Sequence, residues 1–467
     1  MLFNYSNLPE KSQYPIPKNC LEKRSSFCYD RVNLKEGGNK SVKAAFYTLG
    51  CKVNQYDTQV MRNRMEAAGY QIVSFDEEAD IYIINTCTVT QISDKKSRQM
   101  ISRARRKHPG SILVVCGCFA QVAPGEAAAL EGVDIVLGTS NRKDILRYIE
   151  NFRASGHQLI AVDNQDTLEG EEIRSFAEKN RAVLKIEDGC ENYCSYCLIP
   201  FARGKIRSKS IDQVRLEAQT LAEAGYLEIV LTGIHLASYG KDFGPACLEK
   251  AIQAVASVPG IQRIRLGSLE PRIISADFLR AVRPIAALCP HFHLSLQSGC
   301  NRILRAMNRH YSTAEYAQSV QLLRETWPNC AITTDIIVGF PGESEEDFEE
   351  TLAFVRQIGF AKIHIFPFSP RRGTRAAAMD GQVAAEIKNR RVKKLEQLEI
   401  SSREAFWKQL IGTTQLVLAE EEKNGLLHGF SENYCPVQWR GKKECLPVRI
   451  LIVDADANGL IGQECGN

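Results

Sequence analysis

The chain has no apolar stretch of membrane-spanning length. Its first residues, Met1 to Glu10, carry neither the basic nor the apolar region of a secretory signal. These two absences set the expectation of a cytoplasmic protein without a membrane partner. A strong excess of one charge is also missing, with a net charge of only +4. That permits a nucleic-acid partner without demanding one, and a local patch matters more. At 467 residues, 24% charged and 44% apolar, the chain has an ordinary globular composition with room for two to four domains. Cysteine is plentiful, at 16 residues. Without an export signal, that number argues for reduced thiols and metal ligation, not disulfides.

Cys190, Cys194 and Cys197 have the spacing C-x3-C-x2-C, directly after the apolar run Ala182–Ile186. A short loop at the end of a strand can bend three thiolates onto three irons of a [4Fe–4S] cubane. The fourth iron is left open, as catalytic metal sites require. The competing reading is a structural zinc knuckle. Zinc wants four closed ligands, and no fourth Cys or His lies close by.

Residues 1–42 have no periodic pattern and are expected to form a flexible extension, with Cys20 and Cys28 incidental. From Lys43 strands and helices alternate. Ala44–Leu49, Asp80–Asn85, Ile112–Val115 and Asp134–Leu137 read as buried parallel strands, with helices over Gln55–Ala68 and Asp94–His108. This predicts an open α/β sheet over residues 43–165, whose ligands bind beyond the carboxyl ends of the strands. Cys51, Cys87 and Cys118 stand at those ends, which suits a second cluster; three buried thiols acting as small hydrophobes is the bland alternative. Cys116 rivals Cys118, because residues i and i+2 share a strand face. A linker around Gly170 follows. Six further runs, from Ala182–Ile186 to Lys362–Phe366, predict a partial (βα)6 barrel over 180–411, ending in a charged helix over Lys388–Leu410. Chemistry in such barrels sits at the C-terminal strand ends. Gln415–Ala419, Val437–Trp439 and Val448–Val453 predict a small β-barrel over 412–467.

From Lys43 onward the chain resembles the radical S-adenosylmethionine (SAM) methylthiotransferases, with a three-cysteine domain, a SAM barrel and a C-terminal TRAM domain. Tyr196 holds the aromatic place before the third cysteine of the SAM signature. Gly50 to Asp57, Gly-Cys-Lys-Val-Asn-Gln-Tyr-Asp, is similar to the subgroup acting on N6-threonylcarbamoyladenosine at tRNA position 37. Enzymes for isopentenyladenosine usually carry Gly-Cys-Gln-Met-Asn, and those for a ribosomal-protein aspartate Gly-Cys-Pro-Lys-Asn. The resemblance implies two [4Fe–4S] clusters, on Cys190, Cys194 and Cys197 and on Cys51, Cys87 and Cys118. It also implies insertion of a methylthio group at adenine C2: one SAM methylates the sulfur, and a second gives the radical that abstracts the C2 hydrogen. The implied partners are a tRNA anticodon stem-loop, an electron donor such as a flavodoxin or ferredoxin, and a sulfur source.

Within that resemblance, SAM is expected at the barrel-strand ends, near Tyr196, Thr232, Gly233, Ser268, Glu270, Gln297 and Gly339. Arg203 is the candidate for the substrate carboxylate, and Arg371 and Arg372 for substrate phosphates. The basic run Lys95–Lys107 and the terminal barrel, with Tyr434 and Trp439 as stacking candidates, are expected to grip tRNA. His235, His291, His293 and His364 read as packing or polar core residues. Two other functions stay open: methylthiolation of isopentenyladenosine tRNA or a ribosomal protein, and a metal-stabilised RNA-binding protein without catalysis.

Overall fold

In the computed structural model the described residues are 41–89, 91–163, 168, 173, 181–444 and 446–465. Residues 1–40 of the expected extension, and Gly170 with most of the expected linker, lie outside them. The α/β pattern takes the form of one parallel sheet. Its strands are β1 (Lys43–Thr48), β2 (Gln71–Val73), β3 (Ile81–Thr86), β4 (Ile112–Gly117), β5 (Ile135–Leu137) and β6 (Leu159–Ala161), in the order β2-β1-β3-β4-β5-β6. Helical residues Met100, Ile101 and Ala127 pack on one face, and Met61, Met65, Ile145 and Ile149 on the other. Cover on both faces explains the unbroken apolar runs of β3 and β4. The short edge strands β2 and β6 were not expected, since three half-exposed residues give no periodic signal.

The barrel comprises β7 (Arg181–Lys185), a two-residue ribbon of β8 (Glu187–Asp188) and β9 (Arg207–Ser208), then β10 (Glu228–Thr232), β11 (Arg263–Leu266), β12 (His291–His293), β13 (Ala331–Val338) and β14 (Lys362–Pro367). β7, β10 and β11 pair in parallel, as do β12, β13 and β14. Single bridges, Ile264 to Leu288 and Leu269 to Leu294, join the halves. The result is a six-stranded partial barrel with β7 and β14 as its edges. Ile264, Phe292, Ile332, Ile336 and Ile363 face the helices in one core. Alternation therefore turns Arg263, Arg265, His291, His293, Thr333, Asp335 and His364 towards the lumen.

The sheet's first helix, Lys52–Ala67, packs beside edge strand β7. Tyr56 and Val60 join the barrel core, while Met61 and Met65 join the sheet core. A helix covered on both sides buries polar residues too, here Asn54, Asp57, Thr58 and Gln59. Asp57 is the hub of this contact. Lys185 Nζ donates to its Oδ1 at 2.8 Å and Arg203 Nη1 to its Oδ2 at 3.0 Å. The same two cations reach Asp188 Oδ2, at 3.2 and 2.9 Å. A second clasp lies beyond β14, where Arg371 donates to Thr88 Oγ1 at 2.9 Å and pairs with Asp94.

The terminal domain is a closed barrel of β15 (Thr414–Lys423), β16 (Leu426–Ser431), β17 (Pro436–Arg440), β18 (Val448–Asp456) and β19 (Gly459–Glu464). The 25-residue helix Ala385–Gln409 leads into it, placing Leu395 in the core of the six-stranded barrel and Phe406 and Trp407 in the small one. Trp439 also belongs to that core and is only 2% exposed, so it has no face to offer a base. Tyr434 is equally committed: its ring stacks on Phe430 and lies 4.5 Å from the Arg265 guanidinium. The loop carrying it closes the bottom of the six-stranded barrel. Arg263 donates to the carbonyls of Phe430 and Ser431 at 3.1 and 2.6 Å, and Arg265 to that of Glu432 at 2.9 Å. The terminal domain is therefore tied to the barrel, because removing it would strip these buried guanidinium groups of their carbonyl acceptors and leave them only Glu228. Among the described residues, no helix is long and apolar enough to cross a membrane.

Replacing Asp57 with Ala should leave Lys185 and Arg203 as buried cations sharing one carboxylate. Removing one partner of a buried pair costs about 3–5 kcal/mol. Denaturant unfolding of the purified variant should show a loss of that order; a loss comparable to that of a surface pair would contradict the hub assignment.

Candidate active site

Cys51, Cys87 and Cys118 leave the carboxyl ends of three neighbouring strands, β1, β3 and β4. Thr48 is level with Asn85, and Thr86 with Gly117, so the three turns start at about one height. Gly50 has a φ of +99°, and a Cβ there would stand 2.9 Å from Cys87 Sγ. Glycine is what lets these two turns approach. Asn54 fastens them, its Nδ2 donating to Leu49 O at 2.7 Å and Thr86 O at 3.0 Å. Burial pushes the Cys87 thiol up to about 11, with Cys118 and Cys51 adding like charge. Desolvation of the sulfur raises Cys51 too, against the nearby Arg203 guanidinium, although the residue as a whole is exposed. Cys116 sits elsewhere: it is fully buried in the sheet core with Met61 and Ile145. The turn at Gly117, with a φ of +94°, takes Cys118 off the strand to begin the helix Cys118–Val122. Residues i and i+2 therefore do not share a face here.

The second triad lies in the loop between Asp188 and the helix Ile199–Arg203. Asn308 Nδ2 holds that loop through the carbonyls of Asn192 and Tyr193, both at 3.1 Å. Donors point at its sulfurs: Ile199 N lies 3.4 Å from Cys197 Sγ and Arg309 Nη1 3.2 Å from Cys194 Sγ. In the other triad Val89 N lies 3.5 Å from Cys87 Sγ. All six cysteines are free thiols. Free thiols with N–H donors aimed at sulfur fit iron–sulfur ligation, in which such bonds tune the cluster.

The expected SAM residues separate into groups. Glu270 joins the cluster loop, accepting from Asn192 Nδ2 at 3.0 Å and His235 Nε2 at 2.9 Å. Burial opposes its charge, but His235 and Arg309 outweigh it and hold the carboxyl at about 2. Asn192, His235 and Glu270 border a cavity of about 760 Å³. Gly233 admits Glu187, since a Cβ there would lie 2.4 Å from Glu187 Oε2. That oxygen accepts from His235 N at 2.7 Å, while Oε1 is buried without a hydrogen-bond partner among the described residues. Thr232 is buried at the end of β10, Ser268 is exposed, and Tyr196 packs partly buried near Cys300 and Phe340. Gln297 has a φ of +71°, uncommon for a residue with a side chain, while its backbone bonds to Asp335 O and Ile337 N. At Gly339 a Cβ would stand 2.2 Å from Lys388 Cγ, so this glycine clears space for the exit helix.

Arg203 is also elsewhere than expected. Its side chain is fully buried, with Asp57, Asp188 and Asn54 as partners. A substrate carboxylate would have to displace two aspartates, so the structure makes Arg203 a clasp between the triads. Arg371 is likewise spent on Thr88 and Asp94, whereas the Arg372 side chain is 97% exposed. Asn54, Asp57, Asn192 and Arg309 carry much of the site without having been singled out in the sequence, and so does His235, which reads there as a packing or polar core residue. Asn54, Asp57 and Asn192 lie inside the cysteine motifs, which was the available signal; His235 and Arg309 had none.

In the basic helix Gln91–Lys107, Arg98, Arg103 and Arg105 pair with Glu126, Asp76 and Asp134. Lys95, Lys96 and Arg106 are exposed and have no ion-pair partner among the described residues.

Comparison with known proteins gives this geometry a family. A model described as Uncharacterized protein family UPF0004 matches residues 43–138, and the Radical SAM superfamily model matches 184–355. Threonylcarbamoyladenosine tRNA methylthiotransferase MtaB of Bacillus subtilis is 39% identical over 422 residues, covering 88% of this chain and 94% of that protein. The Aquifex aeolicus protein of the same name is 40% identical, over 88% of this chain and 100% of its own length. A tRNA-2-methylthio-N(6)-dimethylallyladenosine synthase of Caldicellulosiruptor saccharolyticus is 35% identical over 95% of each. Among solved structures, the radical SAM methyltransferase TsrM of Kitasatospora setae superposes with a TM-score of 0.55, covering 83% of this chain and 77% of that one. At 13% identity that likeness concerns the fold alone. With cysteine turns at the ends of both sheet and barrel, and relatives aligned along almost its whole length, the chain belongs to the radical SAM methylthiotransferase family, enzymes that work with SAM and a [4Fe–4S] cluster.

Proposed function

We propose that the protein places a methylthio group on C2 of N6-threonylcarbamoyladenosine at position 37 of tRNA, with one [4Fe–4S] cluster on Cys190, Cys194 and Cys197 and another on Cys51, Cys87 and Cys118. The observation that carries this reading is the single buried network behind both triads. Arg203, six residues after Cys197, bonds Asp57, six residues after Cys51, and Asp188, two residues before Cys190. Both triads are thus set against one fixed clasp. Bound there, the clusters and SAM would supply one-electron chemistry and the sulfur, for a C–H bond that gives a side-chain base no acidic proton. The protein's part is positioning. Arg309 places a guanidinium beside Cys194, and Asn54 holds the Cys51 and Cys87 turns together. Substrate choice rests on the motif Gly50–Asp57 and on the relatives acting on threonylcarbamoyladenosine. A reductant of the flavodoxin or ferredoxin kind and a sulfur source complete the requirements.

Three outcomes follow. Cys194→Ala should abolish SAM cleavage, whereas Cys51→Ala should still form deoxyadenosine but no methylthio product; product from the Cys51 variant would remove the second cluster from the mechanism. Given two tRNAs, reconstituted enzyme should modify the threonylcarbamoyl form, because a site that pairs polar substrate groups rejects an apolar analogue strongly. Preference for the isopentenyl tRNA, or for a ribosomal protein, would transfer the enzyme to another subgroup. Finally, Lys95→Ala, Lys96→Ala and Arg106→Ala together should lower the slope of log affinity for tRNA against log salt by up to about 3, or roughly one per lost phosphate contact. An unchanged slope would take this helix out of the RNA interface.

A further inference from the structure

His293, Asp335 and His364 stand on three adjacent strands, β12, β13 and β14. Their chain neighbours Phe292, Ile336 and Ile363 lie in the helix-packed core, so all three face the lumen. The register puts Asp335 level with His364, and His293 one same-face step earlier, paired with Thr333 two residues before Asp335. One ring nitrogen or carboxylate oxygen from each lies within 4.8 Å of the others.

The contact between His293 and Asp335 is not a simple hydrogen bond. His293 Nε2 lies 3.3 Å from Asp335 Oδ2. That nitrogen is buried, yet no hydrogen bond reaches it. The other ring nitrogen is occupied, with Nδ1 3.0 Å from Thr333 Oγ1. The same hydroxyl lies 3.4 Å from His291 Nε2. A hydroxyl between two imidazoles donates to one and accepts from the other. In one tautomer pair His293 Nε2 carries the proton and points it at Asp335; in the other the hydroxyl donates to His291 and accepts from His293 Nδ1–H, and the neutral His293 ring turns a bare lone pair on Nε2 towards the carboxylate. Two lone pairs that close repel unless a cation lies between them. The separation also suits one: ligand atoms about 2.0–2.1 Å from a tetrahedral metal stand roughly 3.3 Å apart. Fixing a histidine through its far N–H is how metal-ligating imidazoles are held.

We propose that His293, Asp335 and His364 bind one divalent transition-metal ion in the barrel lumen. Two imidazoles and a carboxylate suit zinc, and also ferrous iron or nickel. The three residues lie within the strands, while both cysteine triads lie in turns beyond strand ends. His364 is exposed on edge strand β14, which gives the ion a way in. Three protein ligands leave coordination positions open to an oxygen ligand such as water or a carboxylate. Each histidine alone reads as a packing residue; the parallel register of three strands is what makes them a set.

The test uses the holoenzyme, reconstituted with iron and sulfide, equilibrated with zinc chloride and desalted. One zinc per chain is expected beside an unchanged iron content. His364→Ala and, separately, Asp335→Asn should lose the zinc and keep the iron. X-ray absorption at the zinc edge of the wild-type protein should show nitrogen and oxygen neighbours near about 2.0 Å, without the sulfur shell near about 2.3 Å that a cysteine site would give. This measurement needs no variant, so it decides the matter even where a substitution unfolds the chain. No retained zinc, a sulfur shell, or equal retention by stably folded variants would overturn the site and leave His293 and Asp335 as an ion pair.

Discussion

Asp57 is one buried carboxylate on which two domains and both cysteine triads depend. Burial works against its charge, but Arg142, Lys185 and Arg203 outweigh it and keep the carboxyl below its ordinary range. Asp188 is held down in the same way, chiefly by Arg203 and Lys185 against burial. Such networks add little net stability compared with well-packed apolar groups. We read this one as a device for register. Lys185 ends the first barrel strand and Arg203 ends the helix after the cluster loop, so the carboxylate fixes the sheet domain against both at once.

The two clasps sit on opposite sides of an incomplete barrel. The Asp57 hub is at β7 and the Arg371 contact follows β14. The sheet domain therefore spans the gap that a six-stranded barrel leaves between its edges. The turn after β3 carries Cys87 and, at Thr88, accepts the second clasp, so the placing of this cysteine and the domain geometry are set by the same few residues.

Much of this architecture could be read from the chain, because helix and strand periods are local. The runs that became β3, β4, β7 and β14 agree with the structure to within a residue or two. Partner choice is not local. Asp57 and Lys185 are 128 positions apart, and nothing in either segment announces the other. An arginine after a cluster loop looks the same in sequence whether it meets a substrate or an aspartate, which is why Arg203 was misassigned. Gly339 shows the same limit: a glycine reports that something comes close, here Lys388, without saying what. Trp439 lay on a strand whose inward face only barrel closure could define.

The loop of residues 430–434 at the bottom of the SAM barrel has a temporal consequence. Translation delivers Arg263 and Arg265 long before the carbonyls of Phe430, Ser431 and Glu432 that accept from them. Glu228, which lies against both arginines, is the partner already made by then. Until the last domain leaves the ribosome, the barrel stays open at its base, with hydrated guanidinium groups where a sealed floor will be. Closure of the small barrel is thus the step that covers the base, and a chain interrupted after the exit helix would carry both cysteine triads beside a barrel still open from below.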